Sequence, residues 1–513
     1  MKKTNKFYLT SALPYTSSVP HIGNMYELIL TDCVARFYKL KGKEVYFQTG
    51  SDEHGLKIAE KARQAKMSEK EYVDQIVLKI KETLKLLNID YDKFVRTTDD
   101  YHMDAVAKIA DLMFKKGDIY LSSYEGLYSK AEEAYVSEKD LVDGVLPSGE
   151  KPILMKEEAY FFALSKYQEK LVKHIQQNPH FIMPESRRNE ILAFLKEPLL
   201  DLCVTRSSFD WGVSVNFDKK HVLYVWLDAL CNYITGIGYT PDKQSKEFSE
   251  LWPANVHIVG KDITRFHCIY WPCFLMSLGL ELPETVFGHP WVLTAQTKMS
   301  KSLGNTICTD ELVKVFGVDK VRFYCLSEIP YKDDGNLTYE LVLEKTNTEL
   351  VNTLGNLVNR TFGMLAKYFD SKFVPTYCFV DENFKEINNY IETLPDKLTE
   401  LFSEYKVAEA AKTILELARL ANKFIDLEEP WNLFKNQEND KLMSVLTCLF
   451  EVIRVLSIAL LPYIPESALK IQKMLEINEN KLESIVVKQP FKEIVFKKPE
   501  ILFVRLDKKD LEQ

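Results

Sequence analysis

Residues 6–48 read KFYLTSALPYTSSVPHIGNMYELILTDCVARFYKLKGKEVYFQ, and their pattern decides the fold. The apolar stretch from Lys6 to Ala12 predicts a strand, and a turn rich in proline and serine follows it. A helix is expected from about His21 to Gly42, and residues 44–48 predict a second strand. One face of this helix carries the apolar side chains of Met25, Ile29, Cys33, Phe37 and Leu40. Such a strand–helix–strand unit is typical of a doubly wound, Rossmann-type parallel sheet.

Glycine divides the chain into two parts. All 19 glycines lie between Gly23 and Gly363. Tight turns between strands and helices need glycine, whereas helical bundles mostly do not. We therefore expect an α/β region with further strand–helix units near residues 222–226 and 256–259, followed by an all-α bundle. In the bundle, apolar residues recur at helical spacing from Val407 onward, and Pro430 ends this helix.

Length and composition bound the class of protein. The chain has 513 residues, of which 46% are hydrophobic and 27% charged, and its net charge is -8. This length predicts roughly two to four domains with an ample core. The composition excludes intrinsic disorder, collagen-like or mucin-like sequences and small disulfide scaffolds. A nucleic acid could bind only through local basic patches on an acidic body.

Cysteine usage and apolar runs bear on the compartment. The nine cysteines form no Cys-x-x-Cys pair, which predicts reduced thiols. No apolar signal segment precedes Pro14, so we expect a cytoplasmic protein. The most apolar stretch, residues 445–461, contains Glu451 and Arg454. Because a membrane would bury both charges at high cost, this stretch predicts a core helix with an ion pair, and no membrane partner.

The first candidate motif is the turn Pro20-His21-Ile22-Gly23-Asn24, where the strand leads into the helix. The N–H groups and the dipole of a helix N-terminus favour phosphate. Gly23 would let a nucleotide approach the backbone, and His21 could donate to an α-phosphate. On these residues alone, a helix start without any ligand is an equally good interpretation.

The second candidate motif, KMSKSLGN, occupies residues 298–305. Two lysines and two hydroxyls on a loop that ends in glycine can wrap a polyphosphate and neutralise departing pyrophosphate. A solvated lysine loop is the alternative, and it is the less favoured one because the His-x-Gly turn precedes it.

Together the two motifs resemble the HIGH and KMSKS signatures of class I aminoacyl-tRNA synthetases. Longer strings most closely resemble the methionyl-tRNA synthetase family, over nearly the whole chain. These strings are SALPY at 11–15, TGSDEHG at 49–55, YVWLDA at 224–229, GKDI at 260–263, FH at 266–267 and WP at 271–272. The resemblance implies ATP-dependent activation of L-methionine to methionyl-adenylate. It also implies transfer of the methionyl group to the terminal 3′ ribose of tRNA(Met), with release of AMP and pyrophosphate.

The resemblance also implies a domain organisation and site residues. The expected segments are a Rossmann catalytic domain in two halves, 1–114 and 216–297, a connective insertion, 115–215, a KMSKS loop with a stem-contact region, 298–345, and a helical anticodon-binding domain, 346–513. Asp52 would bind the methionine ammonium. The rest of the methionine pocket would be Leu13, Tyr15, Trp226, Ala229, Tyr233, Ile263, Phe266, His267 and Trp271. Sulfur–aromatic contacts suit a thioether, although an aromatic stripe such as Phe266 is also compatible with plain core packing.

For ATP, which would arrive with Mg²⁺, the resemblance implies contacts from both motifs. The binding residues would be His21, Gly23, Asn24, Glu27, Gly260, Asp262 and Lys301. Catalysis would rest on His21, Asn24, Lys298 and Lys301. The anticodon would be contacted by Asn356, Arg360 and Trp431, of which tryptophan would stack on a base; helix packing is the alternative for Trp431. Asp52-Glu53-His54 also resembles a helicase box, but the phosphate loop that a helicase requires is absent from the sequence.

Two departures from the family pattern matter. Asn24 stands where HIGH has its second histidine, so we expect reduced but not absent ATP chemistry. Many members carry Cys-x-x-Cys knuckles in the insertion, but here Tyr128-Ser129-Lys130-Ala131-Glu132 stands in that place. No cysteine occurs between Cys33 and Cys203, so we expect no structural zinc and no other bound metal.

Other functions remain as alternatives. Leucine, isoleucine and valine enzymes share the signatures but carry longer editing insertions; a cysteine enzyme would need a zinc-bound pocket. A smaller nucleotidyltransferase would not explain the helical third of the chain. A catalytically idle tRNA-binding module is the alternative from another class. Because the chain ends soon after the bundle, we expect a monomer.

Overall fold

The computed structural model describes residues 5–129, 134–136, 141, 144–146, 149–294, 297–299, 306–369, 372–378, 380–486, 493–495 and 501–511. The chain divides into two compact units. Unit 1 comprises Met1–Pro20, Tyr46–Lys85 and Asp90–His289. Unit 2 comprises His21–Val45, Leu86–Ile89 and Pro290–Gln513.

A six-stranded sheet forms the centre of unit 1. Its strands are β1 (Lys6–Ser11), β2 (Glu44–Ser51), β3 (Lys93–Arg96), β4 (Ile182–Met183), β5 (Val256–Gly260) and β6 (Val286–His289). They lie in the order β3-β2-β1-β5-β6-β4. The pairs β3–β2, β1–β5, β5–β6 and β6–β4 are parallel. Every residue of β5 is buried, as expected for an inner parallel strand. The predicted doubly wound Rossmann-type sheet is confirmed.

The strand–helix unit predicted near residues 222–226 is present, but its strand lies outside the main sheet. The structure has only a two-residue strand, Val222–Leu223, which pairs antiparallel with Thr205–Arg206 outside the main sheet. The chain turns at once into the helix Val225–Leu230. A short apolar run fits a strand and a buried helix equally well. Here its first residues pair with Thr205–Arg206, and the residues that follow form the helix. The strand predicted at residues 256–259 is confirmed as β5.

A second sheet in unit 1 is antiparallel. Its strands are, in spatial order, Ala134–Val136, Ile119–Ser129, Ile153–Phe162 and Leu202–Cys203. This sheet lies in the range expected to be the insertion, whose boundaries stay a prediction. The same range also supplies β4 to the main sheet. The helices of unit 1 are Leu56–Ala65, Glu69–Leu86, Asp100–Lys115, Gln168–Gln177, Glu185–Phe194, Val225–Leu230, Asn232–Thr235, Lys246–Leu251 and Trp271–Leu278. Unit 1 also contains 3₁₀-helical turns at Leu164–Tyr167 and Lys261–Ile263 and a π-helical turn at Phe266–Tyr270.

Unit 2 is mainly helical. Its helices are Ile22–Leu40, Thr309–Phe316, Val318–Glu328, Tyr339–Lys345, Thr346–Gly355, Asn356–Tyr368, Glu382–Ser403, Val407–Glu428, Pro430–Lys435, Asn439–Ala459, Pro465–Met474, Leu482–Ile485 and Lys508–Leu511. Short strands are Val292–Thr294, Thr297–Lys298, Gly335–Asn336, Lys372–Phe373 and Ile494–Val495. The predicted helical bundle is thus confirmed.

The first helix, Ile22–Leu40, is held by a buried charged cluster within unit 2. Asp32 accepts from Arg322 at 2.6 Å and from Arg36 at 2.7 Å. Arg322 also donates to the carbonyl of Pro462 at 3.0 Å. Because removal of one partner would leave an uncompensated buried charge, this cluster fixes the first helix against the bundle. The apolar face predicted for this helix is buried along its whole length.

The most apolar helix, Asn439–Ala459, is long and apolar enough to cross a membrane by length and composition, the one such helix in the described residues. Its apolar window is 94% buried inside the protein. Arg454 and Glu451 form the predicted ion pair, with 2.6 Å between nitrogen and oxygen. The prediction of a core helix is therefore confirmed.

Candidate active site

The first wall of the site lies at the carboxyl ends of β1 and β2. Here the backbone of Tyr15 pairs with that of Asp52 in a short parallel bridge. The N–H of Thr16 donates to the carbonyl of Asp52 at 2.9 Å. Leu13 lies against Gly50, since a β-carbon added to Gly50 would lie 2.9 Å from Cδ2 of Leu13. The structure thus brings Leu13, Tyr15 and Asp52 together at one edge of the sheet.

The second wall is aromatic. Trp226, on the helix Val225–Leu230, stacks on Phe266 with 3.7 Å between ring centroids and 6° between ring planes. Phe266 begins a π-helical turn, Phe266–Tyr270, which rotates the following side chains away from ordinary helical positions. Ala229 follows Trp226 on the same helix and is buried. Both stacked rings keep part of their surface exposed, so they are not merely core.

His267 has a defined tautomer. Its Nδ1 lies 3.0 Å from the carbonyl of Ile263 and its Nε2 lies 2.7 Å from the hydroxyl of Tyr233. Because a carbonyl only accepts, Nδ1 carries the hydrogen and Nε2 accepts from the tyrosine. Burial lowers the pKa of His267 to about 4, even though the carbonyl bond raises it. The imidazole is therefore neutral at pH 7 and adds no charge to the predicted methionine pocket.

Trp271 lies behind this layer, fully buried. Its indole N–H donates to Nε2 of His257 at 3.2 Å, and Nδ1 of His257 lies 2.7 Å from the hydroxyl of Thr10. The Tyr233 ring stacks on His257 at 4.2 Å between centroids. Burial and the neighbouring His267 lower the pKa of His257, so this ring is neutral as well. Trp271, His257 and Thr10 thus form a hydrogen-bonded layer behind the aromatic residues, and Tyr233 packs against it.

Gly260 and Asp262 lie at the carboxyl end of β5. A β-carbon on Gly260 would lie 2.7 Å from Oδ1 of Asp262, so glycine leaves room for the carboxylate to fold back over the strand end. The strand order reverses between β1 and β5. Nucleotides bind at such a switch point in doubly wound sheets.

In unit 2, the His21 turn caps the first helix. The carboxamide oxygen of Asn24 accepts from the backbone N–H of His21 at 3.2 Å. A β-carbon on Gly23 would lie 3.0 Å from the His21 ring and 3.5 Å from Sδ of Met299. Glycine therefore makes room for the histidine and for the methionine of KMSKS. Glu27 lies one turn further along and is partly exposed.

Lys298 lies over an aromatic ring. Its Nζ is 3.9 Å from the centroid of Trp291. The backbone N–H of Trp291 donates to Asp334 at 2.9 Å. Trp291 is not among the residues predicted from the sequence, because the pairing of the strands Val292–Thr294 and Thr297–Lys298, which brings the lysine back towards the ring, is visible only in the structure. Lys301 lies outside the described residues.

The predicted anticodon residues lie on the surface of unit 2. Asn356 donates to Asn422 at 3.4 Å, and Arg360 donates to Asp426 at 2.7 Å. Both contacts join the helix Asn356–Tyr368 to the helix Val407–Glu428. Trp431 is 42% exposed, which does not support simple helix packing.

The predicted ATP residues fall in both units: Gly260 and Asp262 belong to unit 1, whereas His21, Gly23, Asn24, Glu27 and Lys298 belong to unit 2. Within the described part of the chain, no group of three metal-ligating side chains occurs. None of the nine cysteines, all of which the structure describes, forms a disulfide bond. Of the segment 128–132, residues 130–132 lie outside the described residues.

Two family models match the chain. The first, described as class I tRNA synthetases (M), matches residues 7–151 and 144–362. The second, described as the anticodon binding domain of methionyl tRNA ligase, matches residues 374–513.

Curated relatives and solved structures agree. The methionine–tRNA ligase of Clostridium perfringens is 46% identical over 93% of this chain and 74% of its own length. That of Caldanaerobacter subterraneus is 44% identical over 99% of this chain and 80% of its own length. A Mycobacterium tuberculosis methionyl-tRNA synthetase in complex with methionyl-adenylate superposes with a TM-score of 0.94 at 38% identity, covering 98% of this chain and 100% of that one.

Proposed function

The chain belongs to the class I methionyl-tRNA synthetase family, and we propose that it activates L-methionine with ATP and transfers the methionyl group to tRNA(Met). The observation that carries the proposal for this chain is the aromatic wall. Trp226 and Phe266 form a stacked pair beside a neutral His267 that is fixed by Tyr233. A thioether offers no strong hydrogen-bonding group, so such a pocket selects it by shape and soft contact.

In the first step, the methionine carboxylate attacks the α-phosphorus of ATP in line, and pyrophosphate leaves. In the second, the terminal ribose hydroxyl of tRNA attacks the carbonyl of the adenylate, and AMP leaves. No side chain is needed as a nucleophile, because positioning and charge stabilisation are sufficient. Asp52 would hold the substrate ammonium at the sheet edge while the carboxylate reacts.

For ATP we propose the residues expected from the sequence. Gly260 and Asp262 would bind the ribose side. His21 and Asn24 would donate to the phosphates, near Gly23 and Glu27. Lys298 and Lys301 would stabilise the charge of the departing pyrophosphate, and Mg²⁺ would enter as part of the ATP substrate.

Asn356, Arg360 and Trp431 would contact the anticodon. Their surface exposure supports this role, because bases of single-stranded loops are read by stacking and by hydrogen bonds to their edges. A cytoplasmic monomer without structural zinc completes the proposal. Sedimentation at the mass of two chains would contradict the monomer, and stoichiometric zinc in a metal analysis would contradict its absence.

The decisive experiment is amino-acid-dependent ATP–pyrophosphate exchange with methionine, leucine, isoleucine, valine and cysteine at equal concentration. We expect exchange with methionine alone. Exchange with another amino acid instead would contradict the pocket assignment but leave the synthetase class intact. Folded protein that binds tRNA(Met) and exchanges with none of them would instead be an idle binding module.

A further inference from the structure

A buried carboxylate, that of Asp228, links two chain segments that carry residues of the proposed methionine pocket. Asp228 lies between Trp226 and Ala229 on the helix Val225–Leu230 and is 1% exposed. Its Oδ2 lies 2.7 Å from Nδ1 of His54, and its Oδ1 lies 2.9 Å from Nε2 of His102. Each carboxylate oxygen therefore accepts one imidazole N–H, and both histidines are themselves buried.

The partners of this cluster sit beside predicted pocket residues. His54 follows Asp52 at the end of β2, so its bond to Asp228 ties the first wall to the helix of the second. The other ring nitrogen of His102 lies 2.7 Å from the hydroxyl of Thr235. Thr235 ends the short helix Asn232–Thr235, which also carries Tyr233. One carboxylate thus links the segments that carry Asp52, Trp226 and Tyr233.

The charge of Asp228 explains why the link is strong. Burial raises the pKa of this carboxyl, but His54 and His102 more than offset it, and the pKa lies below its usual value. Asp228 is therefore ionised at neutral pH. Hydrogen bonds to a buried ionised group stabilise more than neutral ones and leave costly unsatisfied groups when they are removed.

We propose that Asp228 is a positioning residue for methionine: through His54 and His102 it holds the Asp52 edge and the Trp226 helix at the spacing that the amino acid requires. The inference rests on the proposed function of the pocket. It assigns no contact between Asp228 and the substrate. Because the cluster lies within unit 1 and has no hydrogen bond to the proposed ATP residues that the structure describes, its loss acts on methionine binding more than on ATP binding.

The test is a split between two Michaelis constants in ATP–pyrophosphate exchange, with methionine or ATP varied. In Asp228→Asn, the amide NH₂ faces one histidine N–H, so one donor loses its acceptor. We expect KM for methionine to rise about tenfold, while KM for ATP changes by less than about twofold. Asp118→Asn is the matched control, because Asp118 is equally buried in unit 1 and bonds Tyr167 and Ser277 at 2.8 Å each.

Conservative variants of the histidine separate positioning from mere folding. In His54→Asn, the amide nitrogen replaces Nδ1 as the donor to Asp228, whereas His54→Ala removes it. We expect His54→Ala to raise KM for methionine as Asp228→Asn does, and His54→Asn to restore most of it. If Asp228→Asn fails to fold, this histidine pair decides the question by itself.

Three results would overturn the inference: equal methionine KM in Asp228→Asn and Asp118→Asn, equal values in the two His54 variants, or an equal rise for ATP. Failure of the proposed function has a different signature, because the unmodified protein would then show no methionine-dependent exchange at all.

Discussion

The proposed methionine pocket and the proposed anticodon surface hold their side chains in opposite ways. In the proposed pocket, Tyr233 and His267 are buried and bonded to one another, and the carbonyl of Ile263 fixes the tautomer of the histidine. On the proposed anticodon surface, Arg360 donates to a largely exposed carboxylate, Asp426, and Trp431 is 42% exposed. Exposed ion pairs contribute roughly 0–1 kcal/mol, so they exchange partners readily. The proposed methionine pocket therefore has a prebuilt shape, whereas the proposed anticodon surface carries groups that can change partners on binding.

The largest effect is expected from Trp226→Ala, which removes one ring of the stacked pair. Loss of a large aromatic side chain from a packed site costs about 4 kcal/mol, or about 1,000-fold, and we expect this loss in kcat/KM for methionine. Binding of tRNA(Met), measured by filter retention, should be unchanged. Exchange activity within about threefold of the unmodified protein would show that the pocket is not prebuilt around this stack.

A smaller effect is expected from pH. The pKa of His267 is about 4 in the folded protein, whereas an imidazole in the unfolded chain has a pKa of 6.5. As the pH falls below 6.5, this histidine therefore becomes protonated in the unfolded chain before it does so in the folded protein. This group's contribution to the free energy of unfolding is therefore constant above about pH 6.5 and falls between pH 6.5 and pH 4. We expect about 2 kcal/mol less stability at pH 5 than at pH 7 from this group.

Denaturant unfolding at both pH values, in the unmodified protein and in His267→Gln, measures this contribution. Glutamine keeps an acceptor for the hydroxyl of Tyr233 and does not titrate. The pH dependence should therefore be weaker in the variant, and the more so because His257 then loses the neighbouring His267, which together with burial lowers its pKa. Identical pH dependences would mean that the imidazole of His267 is not held neutral by the fold.

On the proposed anticodon surface, Trp431→Ala should affect only the reaction with tRNA(Met). Stacking of one base on an aromatic ring is worth about 1–3 kcal/mol, so we expect kcat/KM for tRNA(Met) to fall about tenfold or more. Methionine-dependent exchange without tRNA should stay at the level of the unmodified protein. Leu427→Ala, at another exposed apolar side chain, is the control for general loss of surface. Equal effects of the two variants would contradict stacking.

The sequence predicts well where the pattern is local. The first strand, the first helix and the core helix around Glu451 and Arg454 follow from periodicity and from the cost of unpaired charge. The family resemblance supplies Phe266 and His267 as residues, but not their contacts. Their partners, Trp226 and Tyr233, are distant in sequence, and only the packed fold brings the rings together. The position of the strand Val222–Leu223 outside the main sheet has the same origin, because a short apolar run does not specify its own partner.

The smallest expected effect lies at Asn24, where the sequence departs from HIGH. Its carboxamide oxygen caps the backbone N–H of His21, so Asn24 contributes to the helix start as well as to any phosphate contact. A histidine there can keep the cap through one ring nitrogen and donate through the other. We therefore expect Asn24→His to raise the rate of methionyl-adenylate formation, measured by rapid quench, by about two- to fivefold, or less than about 1 kcal/mol.

Asn24→Ala loses both the cap and the donor, so adenylate formation should slow and thermal stability should fall together. A histidine variant that is as stable as the unmodified protein but clearly slower would contradict the expectation. It would mean that the asparagine is the better phosphate donor in this turn. The exposure of Asn24 makes the comparison clean, because an exposed position accepts the larger ring without repacking the core.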